Sequence, residues 1–102
     1  MATKPESRLQ RRIRQRLEQE FPRSYWRKIH GGPFQQAGLA DLIGCVGGLF
    51  FSFEVKRPGQ EPSEIQEIEM EHVRNAGGVA AVIETPEEAV TIVRKVLEKF
   101  SL

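Results

Sequence analysis

The segment Gly38–Lys56 decides the fold, and its sequence is GLADLIGCVGGLFFSFEVK. Two apolar runs flank a Gly-Gly pair, which predicts a β-hairpin with a two-residue turn, because both turn positions can take a positive φ. With the two glycines in the turn, Val46 faces Leu49 and the same register places Asp41 opposite Glu54. The Cβ atoms of such a pair lie about 4.5–5.5 Å apart. The hairpin therefore predicts two carboxylates in direct apposition.

The two faces of this hairpin differ in polarity. One face is apolar throughout and predicts a core; its residues are Ala40, Leu42, Val46, Leu49, Phe51, Phe53 and Val55, with Gly44 between them. Lys56 lies two residues beyond Glu54 and therefore shares the other face. Asp41, Glu54 and Lys56 are thus expected to gather at one end of the hairpin. Ile43, Cys45 and Phe50 lie on the same face further away, and need cover from a helix or a second subunit.

Charged groups inside a strand cost free energy unless something compensates them. Lys56 offsets part of the repulsion between the carboxylates, and a hard divalent cation would offset more. Mg²⁺ commonly uses one or two carboxylates together with phosphate and water. A metal between two carboxylates, with a lysine beside it, suits phosphodiester hydrolysis. The alternative is a cross-strand ion-pair element on a solvated sheet face.

The segment before the hairpin predicts a helix and a strand. Leu9, Ile13, Leu17 and Phe21 recur every four residues and predict a helix over about Pro5–Phe21. The next segment, Ser24–His30, alternates as a strand does, and Gly31–Gly38 follows as a loop. The hairpin strands are expected at about Leu39–Val46 and Leu49–Lys56.

The segment after the hairpin predicts a helix, a strand and a final helix. Ser63 with Gln66 three residues on has capping-box spacing, and the inward face of this helix is expected to carry Ile65, Ile68, His72 and Val73. Val79–Ile83 is a short apolar strand, and the TPEE segment Thr85–Glu88 begins the last helix. The element order αβββαβα predicts an α/β (α+β) fold, with one domain over residues 1–102.

Composition bounds the function. The chain has 102 residues, and its net charge of +1 conceals an asymmetry. The first 28 residues carry nine Lys and Arg against three acids, a net charge of +6, and the remainder carries −5. A basic segment suggests a polyanionic partner. The alternative is a solvated helix face that is rich in arginine.

Cys45 is the only cysteine, which excludes an internal disulfide and a thiolate-rich zinc site. No apolar run approaches the roughly 18 residues of a membrane span. The first residues, MATKPESRLQ, contain no apolar signal-peptide core. We therefore expect a cytoplasmic protein without a membrane partner.

Four short motifs, in order and at suitable spacing, resemble those of the VRR-NUC branch of the PD-(D/E)XK nuclease superfamily. GLAD resembles the family's Gly-x-Pro-Asp segment, FEVK its Glu-x-Lys strand, PSEIQ the start of the helix with a functional glutamine, and ESRLQ the start of the first helix. The four stretches are Gly38–Asp41, Phe53–Lys56, Pro62–Gln66 and Glu6–Gln10. Ala40 stands where the motif has proline; because proline is not a ligand, this departure affects recognition more than chemistry.

The resemblance implies an αβββαβ nuclease core, with a central mixed sheet flanked by helices, plus a C-terminal helix. It also implies a Mg²⁺- or Mn²⁺-dependent nuclease. By carry-over, Asp41 and Glu54 are metal ligands together with the Val55 carbonyl, and Lys56 is the catalytic lysine. Small stand-alone members of the family are similar in being homodimers that cut branched DNA such as Holliday junctions.

The resemblance also assigns roles to Glu6 and Gln66, each with a plainer alternative, while position and charge make His30 and four arginines candidates for phosphate binding. Glu6 either joins the metal site through water or only favours the helix N-terminus electrostatically. Gln66 either supports the site or only completes the capping box with Ser63. His30, beside a Gly-Gly loop, is a candidate phosphate contact. The arginines expected to bind DNA are Arg11, Arg12, Arg14 and Arg16.

Three functions therefore remain open from the sequence. The first is a metal-dependent endodeoxyribonuclease, and the second is a nucleic-acid-binding module with the nuclease fold but no chemistry. The third is a structural interaction domain. The carboxylates favour the first, because a module that only binds phosphate gains nothing from apposed negative charges.

Overall fold

The computed structural model describes residues 4–30 and 37–101. Within these ranges three helices and four strands follow one another in the order αβββαβα, as the sequence predicts. Their bounds are α1 Pro5–Glu20, β1 Ser24–Lys28, β2 Leu42–Val46, β3 Leu49–Val55, α2 Glu64–Asn75, β4 Val79–Ile83 and α3 Pro86–Lys99. Most of the predicted loop Gly31–Gly38 lies outside the described residues.

The four strands form one mixed sheet in the order β1-β2-β3-β4. Strands β1, β2 and β3 are antiparallel neighbours, and β4 runs parallel to β3 after the crossover through α2. The hairpin register is the predicted one, with Leu42 opposite Phe53 and Val46 opposite Leu49. The strands are shorter than expected, because β2 begins one residue after Asp41 and β3 ends one residue before Lys56.

An aromatic cluster forms the centre of the core on the predicted apolar face. Trp26 of β1 pairs with Gly44 of β2, and its indole ring lies where a side chain at position 44 would stand. The indole is stacked on Phe53, with ring centroids 5.7 Å apart, and contacts Phe51. Helices α1 and α3 cover this face; the buried residues that they contribute are Ile13, Leu17, Ala89, Val90 and Val93.

Helix α2 lies against the opposite face, and the prediction for its inward side was wrong. Ile65 and Ile68 are 54% and 51% exposed, and His72 is exposed as well. The buried residue is Met70, with Val73 half-buried. The helix is rotated because its first turn must direct Gln66 at the sheet. Helix α2 covers this face of the sheet only in part, since Phe50 and Cys45 remain exposed.

None of the helices in the described ranges is long and apolar enough to cross a membrane.

Candidate active site

Asp41 connects three strands at the end of the sheet. Its backbone carbonyl accepts a hydrogen bond of 2.8 Å from the N–H of Ile29, just beyond β1. Its side-chain Oδ2 accepts another, also of 2.8 Å, from the N–H of Val55 in β3. This hydrogen bond satisfies the backbone N–H of Val55, which lies just past Phe53, the last residue of β3 that pairs with β2. The carboxylate is therefore held beside the end of β3 by the geometry of the sheet.

Glu54 is the most buried ionisable group at this end of the sheet, with 2% of its side chain exposed. Gln66 at the start of α2 donates from Nε2 to Glu54 Oε1 over 2.7 Å. Lys56 Nζ lies 4.0 Å from the same oxygen, and the Lys56 side chain is 17% exposed. The predicted group of Asp41, Glu54 and Lys56 is thus brought together, with Gln66 as a fourth member.

The pKa of Glu54 is raised from its ordinary value of 4.5 to about 8. Burial is the largest cause, because it disfavours the charged form. Asp41 raises the pKa further, by hydrogen bonding to the protonated carboxyl and by repelling the ionised one. Lys56 acts in the opposite direction and Glu6 adds a smaller repulsion. Without another cation, the two carboxylates are therefore best accommodated with a proton between them.

Gln66 makes the contacts that both alternatives from the sequence require. Its Oε1 accepts from the backbone N–H of Ser63 over 2.8 Å, and its backbone N–H donates to Ser63 Oγ over 3.2 Å. This is a complete capping box. The amide nitrogen remains free for Glu54. One side chain therefore begins α2 and holds the buried carboxyl.

Glu6 lies in the first turn of α1, where a carboxylate complements the helix N-terminus. It is also close enough to Glu54 to raise the pKa of that carboxyl. Both interpretations of Glu6 are therefore compatible with its position.

The oxygen donors at this end of the sheet suit a small hard cation. Asp41 and Glu54 offer two carboxylates, and the Val55 carbonyl adjoins Glu54 along β3. Within residues 4–30 and 37–101, no group of three or more Asp, Glu, His or Cys side chains is placed to hold a metal ion. Two carboxylates with water are a common protein contribution to Mg²⁺ binding.

The arginines of α1 divide between two sides of the helix. Arg11 and Arg14 line a cavity with Lys28 and His30 at the end of β1. Arg12 and Arg16 lie on the side that approaches α3. Arg16 binds Glu20 over 3.2 Å and approaches Glu87 at 3.9 Å, so its charge is largely compensated. Arg11, Arg14 and His30 therefore form one group, and Arg12 and Arg16 another.

Sequence reasoning missed Lys28 and Gln10 in this region. Gln10 is buried, and it lies three residues before Ile13 and seven before Leu17 on the inward face of α1. A polar residue at this spacing within an apolar stripe is the signal that was available. Lys28 carries no such signal, because its position beside α1 follows from the packing of β1.

The raised pKa of Glu54 predicts a pH dependence of stability in the metal-free protein. Between pH 4.5 and about 8 the folded chain keeps this proton while the unfolded chain loses it. The free energy of unfolding should therefore fall as the pH rises through that window, and level off above it. Denaturant unfolding in EDTA at a series of pH values measures this. A Glu54→Gln variant should not show the part of this fall that comes from Glu54. If the free energy of unfolding falls equally with pH in both proteins, Glu54 is not its cause.

The fold is thus a four-stranded mixed sheet flanked by three helices, with a carboxylate pair and a lysine at one end of the described sheet. The solved structure of a chain described as "VRR_NUC domain" has this same fold. The TM-score is 0.72 at 22% sequence identity, and the alignment covers 90% of this chain and 97% of the other. The chain thus has the VRR-NUC fold, which confirms the fold prediction. No family model matches the sequence, and no curated protein does.

Proposed function

We propose that this protein is a metal-dependent endonuclease that hydrolyses DNA phosphodiester bonds. One observation carries the proposal: buried Glu54 stands beside Asp41, with Lys56 Nζ 4.0 Å from its Oε1. An interaction surface has no need of a carboxyl group whose burial costs this much free energy. Asp41 and Glu54 would hold a Mg²⁺ or Mn²⁺ ion, which would offset their two charges and attract phosphate to the same place. The VRR-NUC fold supports this choice of reaction.

In this proposal the chain's residues divide the work. Asp41, Glu54 and the Val55 carbonyl would hold the ion, with Glu6 contributing through water. The ion, when bound, supplies polarisation of the phosphate and a lower pKa for the attacking water. Lys56 orients that water or stabilises the charge that develops on the phosphate oxygens. Gln66 is a positioning residue: its bond to Glu54 Oε1 holds in place the carboxylate that would be a ligand.

The test is incubation of purified protein with linear, flapped and four-way DNA in Mn²⁺, Mg²⁺ or EDTA. We expect cleavage with either metal and none in EDTA. Cleavage must be absent from a preparation of Asp41→Asn made in parallel, which controls for contaminating nucleases. DNA binding without cleavage of any substrate in either metal would instead identify a non-catalytic binding module.

We further propose a homodimer with paired active sites that prefers branched DNA. A domain of 102 residues offers little surface for the several arms of a junction, and a two-fold dimer doubles both the sites and the basic surface. The exposed Phe50 and Cys45 on the partly covered sheet face support a second copy as their cover. The resemblance to small stand-alone VRR-NUC proteins points the same way.

Two measurements test the proposed dimer: sedimentation at micromolar concentration, and paired nicking of a symmetric four-way junction. A monomer in solution, or cutting of linear duplex as readily as of the junction, would contradict the proposal.

The double role of Gln66 gives a prediction that separates positioning from helix capping. Gln66→Leu should lower cleavage by about ten- to a hundredfold, the usual effect of losing a group that orients a ligand. Ser63→Ala is the matched control, since it removes half of the capping box and leaves the bond between Gln66 and Glu54. It should cost about 1 kcal/mol of stability with an unchanged rate. Equal rate losses in the two variants would assign the effect to the helix.

A further inference from the structure

A basic cavity lies between the first half of α1 and the end of β1, outside the carboxylate group. Its volume is about 240 Å³, and it is lined by Ser7, Gln10, Arg11, Arg14, Lys28 and His30. A water molecule occupies about 30 Å³ in the liquid, so the cavity has room for a phosphate group and several waters. Its lining contains three permanent cations, one histidine and no carboxylate.

The positive charge of this cavity is poorly compensated. Neither Arg11 nor Lys28 makes an ion pair within the part of the chain that the structure describes. Arg14 has only a partly exposed pair with Glu18, at 3.7 Å. Exposed pairs of this kind contribute about 0–1 kcal/mol and are easily exchanged for another anion. The cavity contrasts with the α3 side of the same helix, where Glu20 and Glu87 approach Arg16.

Gln10 provides an independent sign that a ligand belongs here. Its side chain lines the cavity but is only 8% exposed, and its Oε1 is buried without a hydrogen bond among the described residues. An unpaired buried polar group costs about 1–3 kcal/mol, and a leucine would fit this helix face at no such cost. The other atom of the terminal amide, Nε2, is not among the buried unpaired atoms and carries two N–H donors. These donors are available to an anion in the cavity.

We propose that this cavity binds a phosphate group, held by Arg11, Arg14, Lys28 and Gln10. Its identity as a backbone phosphate of DNA, distinct from the one that is cleaved, rests on the proposed nuclease function. Gln10 lies one helical turn after Glu6, whose charge acts on Glu54. On the other side, Ile29, next to His30, bonds to the Asp41 carbonyl. The cavity therefore adjoins the carboxylates, and a phosphate held there sets which bond of the strand reaches them.

The first experiment uses inorganic phosphate in EDTA, which keeps metal and DNA out of the measurement. Side-chain amide and imidazole NMR signals are followed at constant ionic strength, with sodium chloride as the reference salt. We expect saturable shifts of the Gln10 amide and the His30 ring with phosphate and not with chloride. Arg11→Ala/Arg14→Ala should weaken the response at least tenfold, and Gln10→Leu should weaken the His30 response while keeping or raising the melting temperature.

A matched control removes two charges elsewhere. Lys95→Ala/Lys99→Ala lowers the net charge equally on exposed positions of α3, and its phosphate response should equal that of the parent. The inference is overturned if phosphate and chloride act alike. It is also overturned if the Arg11/Arg14 double variant still saturates as the parent does. Because both arginines project from the surface of α1, that variant keeps the test valid even if Gln10→Leu does not fold.

The second experiment measures affinity for a DNA duplex in EDTA as a function of salt. Each lost phosphate contact should reduce the salt slope by about one. The Arg11/Arg14 double variant should therefore lose about two, and the Lys95/Lys99 variant none. Equal losses in the two variants would count against the cavity as a distinct subsite. Phosphate binding without cleavage in any metal would reject the nuclease and retain the cavity, whereas cleavage with no phosphate response would do the reverse.

Discussion

Replacing Asp41 with asparagine is expected to abolish cleavage while leaving the metal-free protein as stable as the parent, or more stable. The amide keeps an oxygen that can accept the hydrogen bond from the N–H of Val55, so the end of the sheet stays in place. It removes a negative charge that raises the pKa of Glu54. Repulsion in the apo protein therefore falls, and one of the proposed metal ligands is lost.

Cleavage assays in Mn²⁺ and melting temperatures in EDTA and in Mn²⁺ measure the two effects. At pH 8 in EDTA, the Asp41→Asn variant should melt at or above the temperature of the parent. Mn²⁺ should raise the melting temperature of the parent alone, because a ligand stabilises only the state that binds it. Glu61→Gln makes the same chemical change at an exposed position and should alter neither quantity. Full activity of Asp41→Asn would reject its assignment as a ligand.

Replacing Lys56 with alanine is expected to lower the cleavage rate by about a hundredfold or more, the usual cost of removing one preorganised donor from a developing oxyanion. The backbone of Lys56 is fixed by its N–H bond of 3.0 Å to the Ile83 carbonyl, and the side chain is largely buried against Glu54. The ammonium group is therefore already in place before substrate binds. DNA affinity should fall little, because one phosphate contact is a small share of the total.

Single-turnover rates and DNA affinities separate these effects. Because Lys56 lowers the pKa of Glu54, its loss also changes the charge around the proposed metal ligands, so rates are compared at saturating Mn²⁺. Arg57→Ala removes the neighbouring exposed cation and should leave the rate unchanged. Rate and affinity falling in equal proportion would make Lys56 a plain phosphate contact.

The hairpin was predictable because its information is local. Two glycines fix a register, and an alternation of side chains then assigns Asp41, Glu54 and Lys56 to one face. The strand ends were predicted one to three residues too far. An isolated pattern cannot show that the Asp41 side chain takes the Val55 N–H beyond the last β2–β3 pair.

The errors on the helices have a different origin. The inward side of α2 was assigned from Ile65 and Ile68, because apolar residues usually face the core. The structure turns those residues outward, since the bond of Gln66 to Glu54 and the burial of Met70 set the rotation of the helix. The cavity around Gln10 was missed for a related reason: it requires the packing of α1 beside β1, which no local pattern encodes.

Gln66 also limits which sequences this fold can tolerate. Its carbonyl oxygen accepts from Ser63 while its amide nitrogen donates to Glu54. Glutamate has the same length and keeps the acceptor, but it brings another negative charge to the carboxylates. Leucine has neither group, and asparagine is one carbon too short to reach both. None of these three residues can make both hydrogen bonds. A change of Gln66 during evolution would therefore need a second substitution, at Glu54 or Ser63, to remove the group that is left without a partner.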